Sequence, residues 1–185
     1  MNRRSNIPVF AENLILIGMP GSGKSTVGVL LAKRLAWRFI DTDVLIQARA
    51  GAPLPAIQER LGMAGFRRLE DLCLRGLKGT RQVIATGGSA IYYPEAMAHL
   101  QSLGVVVFLD VPLVELTTRL SNFENRGLVR APGQTLKSLW RERRPLYRRY
   151  ARMTVPWGGE GHEPMAEKII DGLGRTGSDT PRAPQ

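Results

Sequence analysis

The chain has 185 residues, 43% of them hydrophobic, and carries 26 Lys and Arg against 16 Asp and Glu, a formal net charge of +10. That size and apolar content describe one ordinary globular domain, and no run approaches the ~18 apolar residues of a membrane helix. The lone Cys73 excludes an internal disulfide, and with no signal peptide in view a reducing cytoplasm is the expected location.

Residues 1–12 and 174–185 are polar or rich in Pro and Gly and read as loose tails around a single domain over 13–173. The domain starts with Asn13-Leu-Ile-Leu-Ile17, an apolar, β-branched run that suits a buried parallel strand. Gly18-Met-Pro-Gly-Ser-Gly-Lys-Ser25 follows, then a stretch to Leu35 with Val27, Leu30, Leu31 and Leu35 at helical spacing. Strand, G-x-x-x-x-G-K-S loop and helix together make the context in which a P-loop works. Its glycines leave backbone N–H groups free to converge on phosphates at a helix N-terminus. Gly21, Ser22, Gly23, Lys24, Ser25 and Thr26 are therefore the candidate nucleotide-binding residues. Lys24 can reach the β- and γ-phosphates of ATP, and the Ser25 hydroxyl suits Mg²⁺.

Arg38-Phe-Ile-Asp41 reads as a second strand, followed by helical stretches near 43–50, 54–61 and 63–79 with breaks at Gly51-Ala-Pro53 and Gly62. Asp41 and Asp43 fall at the strand end. One can hold Mg²⁺ through water while the other orients and deprotonates a hydroxyl; a helix N-cap is the plainer reading. Gln82-Val-Ile-Ala85 is a third strand ending in Thr86-Gly-Gly-Ser89, where an acceptor could lie on bare backbone or the chain could simply turn. A helix over Pro94–Leu103, a strand over Val105–Leu109 and a helix from Pro112 to about Ser121 come next. Residues 122–134 lose periodicity and read as a lid. Thr135 to about Arg152 is a long helix with a kink or break at Pro145, before a short strand at Met153–Val155 and a helix over Glu163–Gly172.

Alternating strands and helices predict an α/β three-layer sandwich with a central five-stranded parallel sheet and substrates at the carboxyl ends of its strands. Arginines complete the candidate site. Arg67 lies three residues before Glu70 on one helical face, and Arg143 precedes Arg144 and Pro145. A guanidinium fork suits an acceptor carboxylate, and Arg126 in the lid could meet the transferred phosphoryl group. Taken singly, any of these is more often a surface arginine, and only the combination lifts them. The run Arg141–Arg152 holds six arginines, but no aromatic stacking pattern accompanies it, so anionic substrates are expected and nucleic acid is not. His99 and His162 lie far apart without cysteine partners, which gives no zinc pattern. Cys73, among Leu72, Leu74 and Leu77, reads as a core residue.

The segments GMPGSGKSTVG, FIDTD, AGFRRLE, VIATGG, NRG and ERRPLY occur in the order and spacing of the shikimate kinase family, which the chain resembles from about Asn13 to Gly172. The resemblance implies a nucleoside-monophosphate-kinase-like fold with an acceptor-binding helical region near 43–79 and a closing lid. It implies ATP-dependent phosphorylation of the shikimate 3-hydroxyl, with ATP and Mg²⁺ served by Lys24, Ser25 and Asp41, and Arg119 near the adenine. Asp43 would meet the acceptor hydroxyl, Arg67 and Arg143 would clamp its carboxylate, Glu70 would hold an arginine, and Gly87 and Gly88 would line the acceptor. Arg126 would be the lid arginine. Two positions depart from the family pattern: Ser89 stands for a third glycine, and Gly127 follows the lid arginine where proline is usual. Another hydroxy acid, such as homoserine or gluconate, is the alternative acceptor, and a nucleotide-dependent regulatory or nucleic-acid-binding module the alternative class. A monomer free of membranes is expected.

Overall fold

Apolar runs too short and too continuous for amphipathic helices become the strands. In a computed structural model, which describes residues 13–120 and 134–176, β1 (Asn13–Ile17) is buried at all five positions. So are β3 (Gln82–Ala85) at every position and β4 (Val105–Asp110) at all but its first. Successive side chains of a strand point to opposite faces, so burial of every residue means that both faces are covered. β2 (Arg38–Asp41) and β5 (Met153–Pro156) complete a parallel sheet in the order β2-β3-β1-β4-β5. The chain leaves β1 in one direction and returns to its other side at β4, so the strand order reverses beside β1. In such a sheet the crevice opens outside the carboxyl ends of the strands.

Helices supply the crossovers: α1 (Lys24–Leu35), α2 (Thr42–Ala50), α3 (Leu54–Arg75), α4 (Pro94–Leu103), α5 (Leu113–Leu120), α6 (Leu136–Tyr150) and α7 (His162–Thr176). The main core lies between sheet and helices. A smaller cluster of Ile46, Ile57, Phe66 and Cys73 ties α2 to α3, so the thiol is a core group as expected. Burial of that thiol pushes its pKa up. Among the described residues, no helix is long and apolar enough to cross a membrane.

Several boundaries differ from the sequence reading for identifiable reasons. α3 runs across Gly62, which adopts φ 64°, ψ 174° and marks the kink between its two halves. It stops at Arg75 rather than near residue 79, with Gly76 as its C-cap. A 3₁₀ turn at Ala90–Tyr92 was not anticipated. α6 passes through Pro145 without a break, and α7 continues to Thr176. The expected lid over 122–134, with Arg126 and Gly127, lies outside the described residues apart from Gln134.

α6 is held against β4 by charge. Arg144 donates to both oxygens of Asp110 at 2.8 and 2.9 Å, and Arg148 adds a third bond at 3.1 Å. Burial pushes the Asp110 carboxyl up, but the arginine hydrogen bonds outweigh it and hold the group below its ordinary range. Arg144→Ala removes the paired fork and is expected to cost about 1–2 kcal/mol. At this chain length that is a fall in Tm of roughly 3–6 °C, measured by thermal denaturation. An unchanged Tm would mean that the pair does not anchor the helix.

Candidate active site

The five strand ends bring the site together. After β1, Gly21 and Gly23 take φ +76° and +89°, left-handed values that a side chain would strain. Gly23 is also the N-cap of α1 and offers no side-chain cap, so the first N–H groups of the helix face the cavity without a side-chain acceptor. Ser22 is fully buried with its hydroxyl turned inward beside Gly18, and its own N–H closes the loop on Met19 O at 3.1 Å. Thr26 is exposed at the cavity edge.

Lys24 is 9% exposed, and its ammonium donates to Gly18 O and Met19 O at 2.9 Å each. Burial lowers its pKa to about 8, against the raising influence of Asp43 and Asp41, while Arg143 adds to the lowering. A polyphosphate at the loop favours the charged amine and raises that pKa. ATP binding at pH 8.5 is therefore expected to take up protons, and binding to Lys24→Met to take up none. Calorimetry in buffers of different ionisation enthalpy measures this directly, and equal uptake by both proteins would contradict it.

At the end of β2, Asp41 serves two purposes. Its Oδ1 caps α2 by accepting from the Asp43 and Val44 N–H groups, while Oδ2 accepts from Ser25 Oγ at 2.6 Å. One carboxylate thus serves as cap and as partner of Ser25, and the Ser25–Asp41 pair offers hard oxygens of the kind that Mg²⁺ takes. Asp43 lines the same cavity. Burial pushes its carboxyl up, Asp41 adds to the rise and Lys24 opposes it. A carboxylate so placed is a stronger base than one in water.

At the end of β3, Gly87 and Gly88 leave bare backbone close to their neighbours. A Cβ on Gly87 would lie 3.0 Å from both Asp43 Oδ1 and Glu70 Oε1, and one on Gly88 would lie 2.8 Å from Pro20 and 3.2 Å from an Arg143 nitrogen. Arg143 is 1% exposed and donates through Nε to Tyr92 OH at 3.1 Å. Tyr147, one helical turn on, stacks on Phe108 with centroids 5.1 Å apart and donates to Gly88 O at 2.7 Å. The ERRPLY stretch thus divides its work: Arg143 enters the cavity, Arg144 anchors the helix, and Tyr147 pins the glycine strip. Glu70, expected to hold an arginine, instead accepts from two hydroxyls, Ser89 at 2.6 Å and Tyr93 at 2.6 Å. Arg67 is exposed on α3 and does not line the cavity, although its charge acts on Tyr93. Arg126 lies outside the described residues.

On the far side of the P-loop, Arg119 donates to Gly21 O at 3.0 Å, pairs with Glu115 at 2.8 Å and lies 4.0 Å over the Trp157 ring. His162 presses against Gly23, where a Cβ would meet its ring at 2.6 Å. Burial and then Arg119 lower the pKa of this imidazole, and Glu115 opposes them. Trp157 and His162 were missed in the sequence. The only signal was that Trp157 immediately follows the last strand, where ligands gather. Leu54 and Phe66 form an apolar wall, also missed, in a cavity of about 420 Å³, a size suited to a small molecule.

The arrangement is a phosphate nest, a buried amine, a basic carboxylate and a buried guanidinium around one cavity. The shikimate kinase family model matches residues 20–173. A shikimate kinase of Aromatoleum aromaticum is 45% identical over 152 residues, covering 80% of this chain and 86% of that protein. One of Synechococcus elongatus is 39% identical over 162 residues, covering 86% and 85%. The solved structure of a shikimate kinase from Acinetobacter baumannii in complex with shikimate superposes with a TM-score of 0.84 at 34% identity, covering 92% of this chain and 96% of that one. The chain belongs to the shikimate kinase family. It is an ATP-dependent phosphotransferase acting on an alcohol. A gluconokinase of Sinorhizobium meliloti, with a TM-score of 0.51 at 19% identity, shares the fold alone.

Proposed function

We propose that this shikimate kinase family member transfers the γ-phosphoryl group of ATP to the 3-hydroxyl of shikimate. The observation that carries the reading is the meeting of Lys24, Asp43 and the buried Arg143 in one cavity. A nucleotide switch has no use for a buried guanidinium opposite its phosphate loop; a carboxylate-bearing acceptor does.

In this reading the α1 N-terminus and Gly21–Thr26 bind the phosphates, and Lys24 leaves the Gly18 and Met19 carbonyls to meet the β- and γ-phosphates. Arg119 and Trp157 offer a flat cationic and aromatic edge for the adenine. Asp43 orients the acceptor hydroxyl and takes its proton as the O–P bond forms. Arg143 holds the acceptor carboxylate, with Arg67 reaching it from α3 on closure, and Gly87 and Gly88 let the ring lie against backbone. Arg126 would arrive with the lid to offset charge on the transferred group and exclude water. Ser25 and Asp41 would hold Mg²⁺, whose charge neutralises the phosphate oxygens.

Homoserine fits less well. The relatives that the chain matches over most of its length are shikimate kinases. ADP release with Mg·ATP, compared across shikimate, homoserine, gluconate and no acceptor, tests the assignment. Turnover with shikimate alone is expected, and turnover with homoserine but not shikimate would overturn it.

A further inference from the structure

Ser89 follows the Gly87–Gly88 strip, and its surroundings give its hydroxyl a purpose. The side chain is 2% exposed and its hydroxyl donates to Glu70 Oε1 at 2.6 Å, while Tyr93 OH donates to Oε2 at 2.6 Å. Glu70, on α3, is 4% exposed. Both hydroxyls come from the segment after β3, across sequence gaps of 19 and 23 residues, so this segment grips a carboxylate from another element at both oxygens. Burial of an ionised carboxylate is costly unless hydrogen bonds offset it, and two hydroxyls do so here without neutralising the charge.

The grip also fixes where Oε1 points. A Cβ on Gly87 would lie 3.0 Å from Glu70 Oε1 and 3.0 Å from Asp43 Oδ1. Two carboxylate oxygens from different helices thus face one strip of bare backbone at the wall of the cavity. A carboxylate oxygen that takes one hydroxyl proton retains capacity for a second. Asp43 is occupied by the reacting hydroxyl, so the neighbouring oxygen of Glu70 is free to accept from another hydroxyl of the acceptor. We propose that Ser89 is a positioning residue that holds Glu70 Oε1 beside Gly87, where Glu70 reads a non-reacting hydroxyl of a polyhydroxy acid. The proposal rests on the acceptor assignment above and adds a specificity element to it.

Ser89→Ala nearly keeps the volume and removes the hydroxyl. The expected result is a rise in acceptor KM of about tenfold, with kcat changed by less than about twofold and ATP affinity retained. Ser89→Thr, which keeps a hydroxyl, restores the KM. With a shikimate analogue that lacks the contacted non-reacting hydroxyl, the unaltered enzyme and the Ser89→Ala variant show the same KM.

The pH profile supplies a readout that simple packing would not move. Glu70 faces Ser89 and Tyr93 after β3, Asp43 on α2, Arg143 on α6 and Cys73 on its own helix. Burial pushes its carboxyl up, the two hydroxyls pull it down, Asp43 raises it and Arg143 lowers it. Loss of the Ser89 hydroxyl moves it further up, so the part of the kcat/KM acid limb that Glu70 adds to that of Asp43 shifts to higher pH. Tyr93→Phe, with Tyr93 only partly buried, shifts the limb in the same direction. An unchanged KM and acid limb in Ser89→Ala would overturn the proposal, as would an equal KM rise with every deoxy analogue. Absence of shikimate-dependent turnover in the unaltered enzyme would instead sink the acceptor assignment, before any variant is made.

Discussion

Lys24→Ala is expected to abolish acceptor-dependent turnover, lowering kcat by about 10³-fold or more. The buried ammonium is the cavity's one lysine charge among the lining residues, and its lowered pKa records how little water surrounds it. The loop carbonyls of Gly18 and Met19 that it holds at 2.9 Å are backbone groups that can turn to water, so the fold survives the change. Steady-state kinetics alongside a thermal melt separates the two effects. A kcat within tenfold of the unaltered enzyme, in a protein with native Tm, would mean that the nest alone supplies the electrostatics.

The second large effect belongs to Asp43→Asn, which keeps the shape and removes the base. We expect kcat to fall about 10²- to 10⁴-fold, with ATP affinity within about threefold because the proposed site holds the phosphates by the loop and Lys24. The raised pKa of Asp43, caused first by burial and then by Asp41, also fixes the sign of the pH dependence. The unaltered enzyme gains rate as pH rises through that value and the carboxylate forms. The asparagine variant loses this limb. Normal kcat in Asp43→Asn would remove that carboxylate from the mechanism.

Features carried by a few consecutive residues were legible in the sequence. The P-loop, the Asp41–Asp43 pair and the Gly87–Gly88 strip each sit at a strand end, and strand ends could be found from apolar runs alone. Asp41 was open to two readings, cap or cation ligand. The structure bears out the cap, through one oxygen, and turns the other toward Ser25, which leaves the cation reading a proposal.

What depended on distant packing was not legible. Arg67 and Arg143 are the same residue type with the same expected task, yet one is exposed on α3 and the other is 1% exposed inside the cavity. Only the anchoring of α6 through Asp110 and Gly88 makes that difference. The pairing of Glu70 with Ser89 and Tyr93 was hidden for a related reason: an acidic residue three positions from an arginine suggests a local ion pair, while tertiary hydroxyls won the contact. His162 reached the P-loop because α7 packs beside α1, a neighbourhood that no local pattern encodes.

Transfer from ATP labelled in its γ-phosphoryl group to shikimate, with the product's phosphate position assigned by NMR, tests directed phosphoryl transfer most directly. Label on the 3-hydroxyl of shikimate, with little released as inorganic phosphate, is the expected result. Label appearing only as inorganic phosphate, or on another hydroxyl, would contradict the roles given to Asp43 and Arg143.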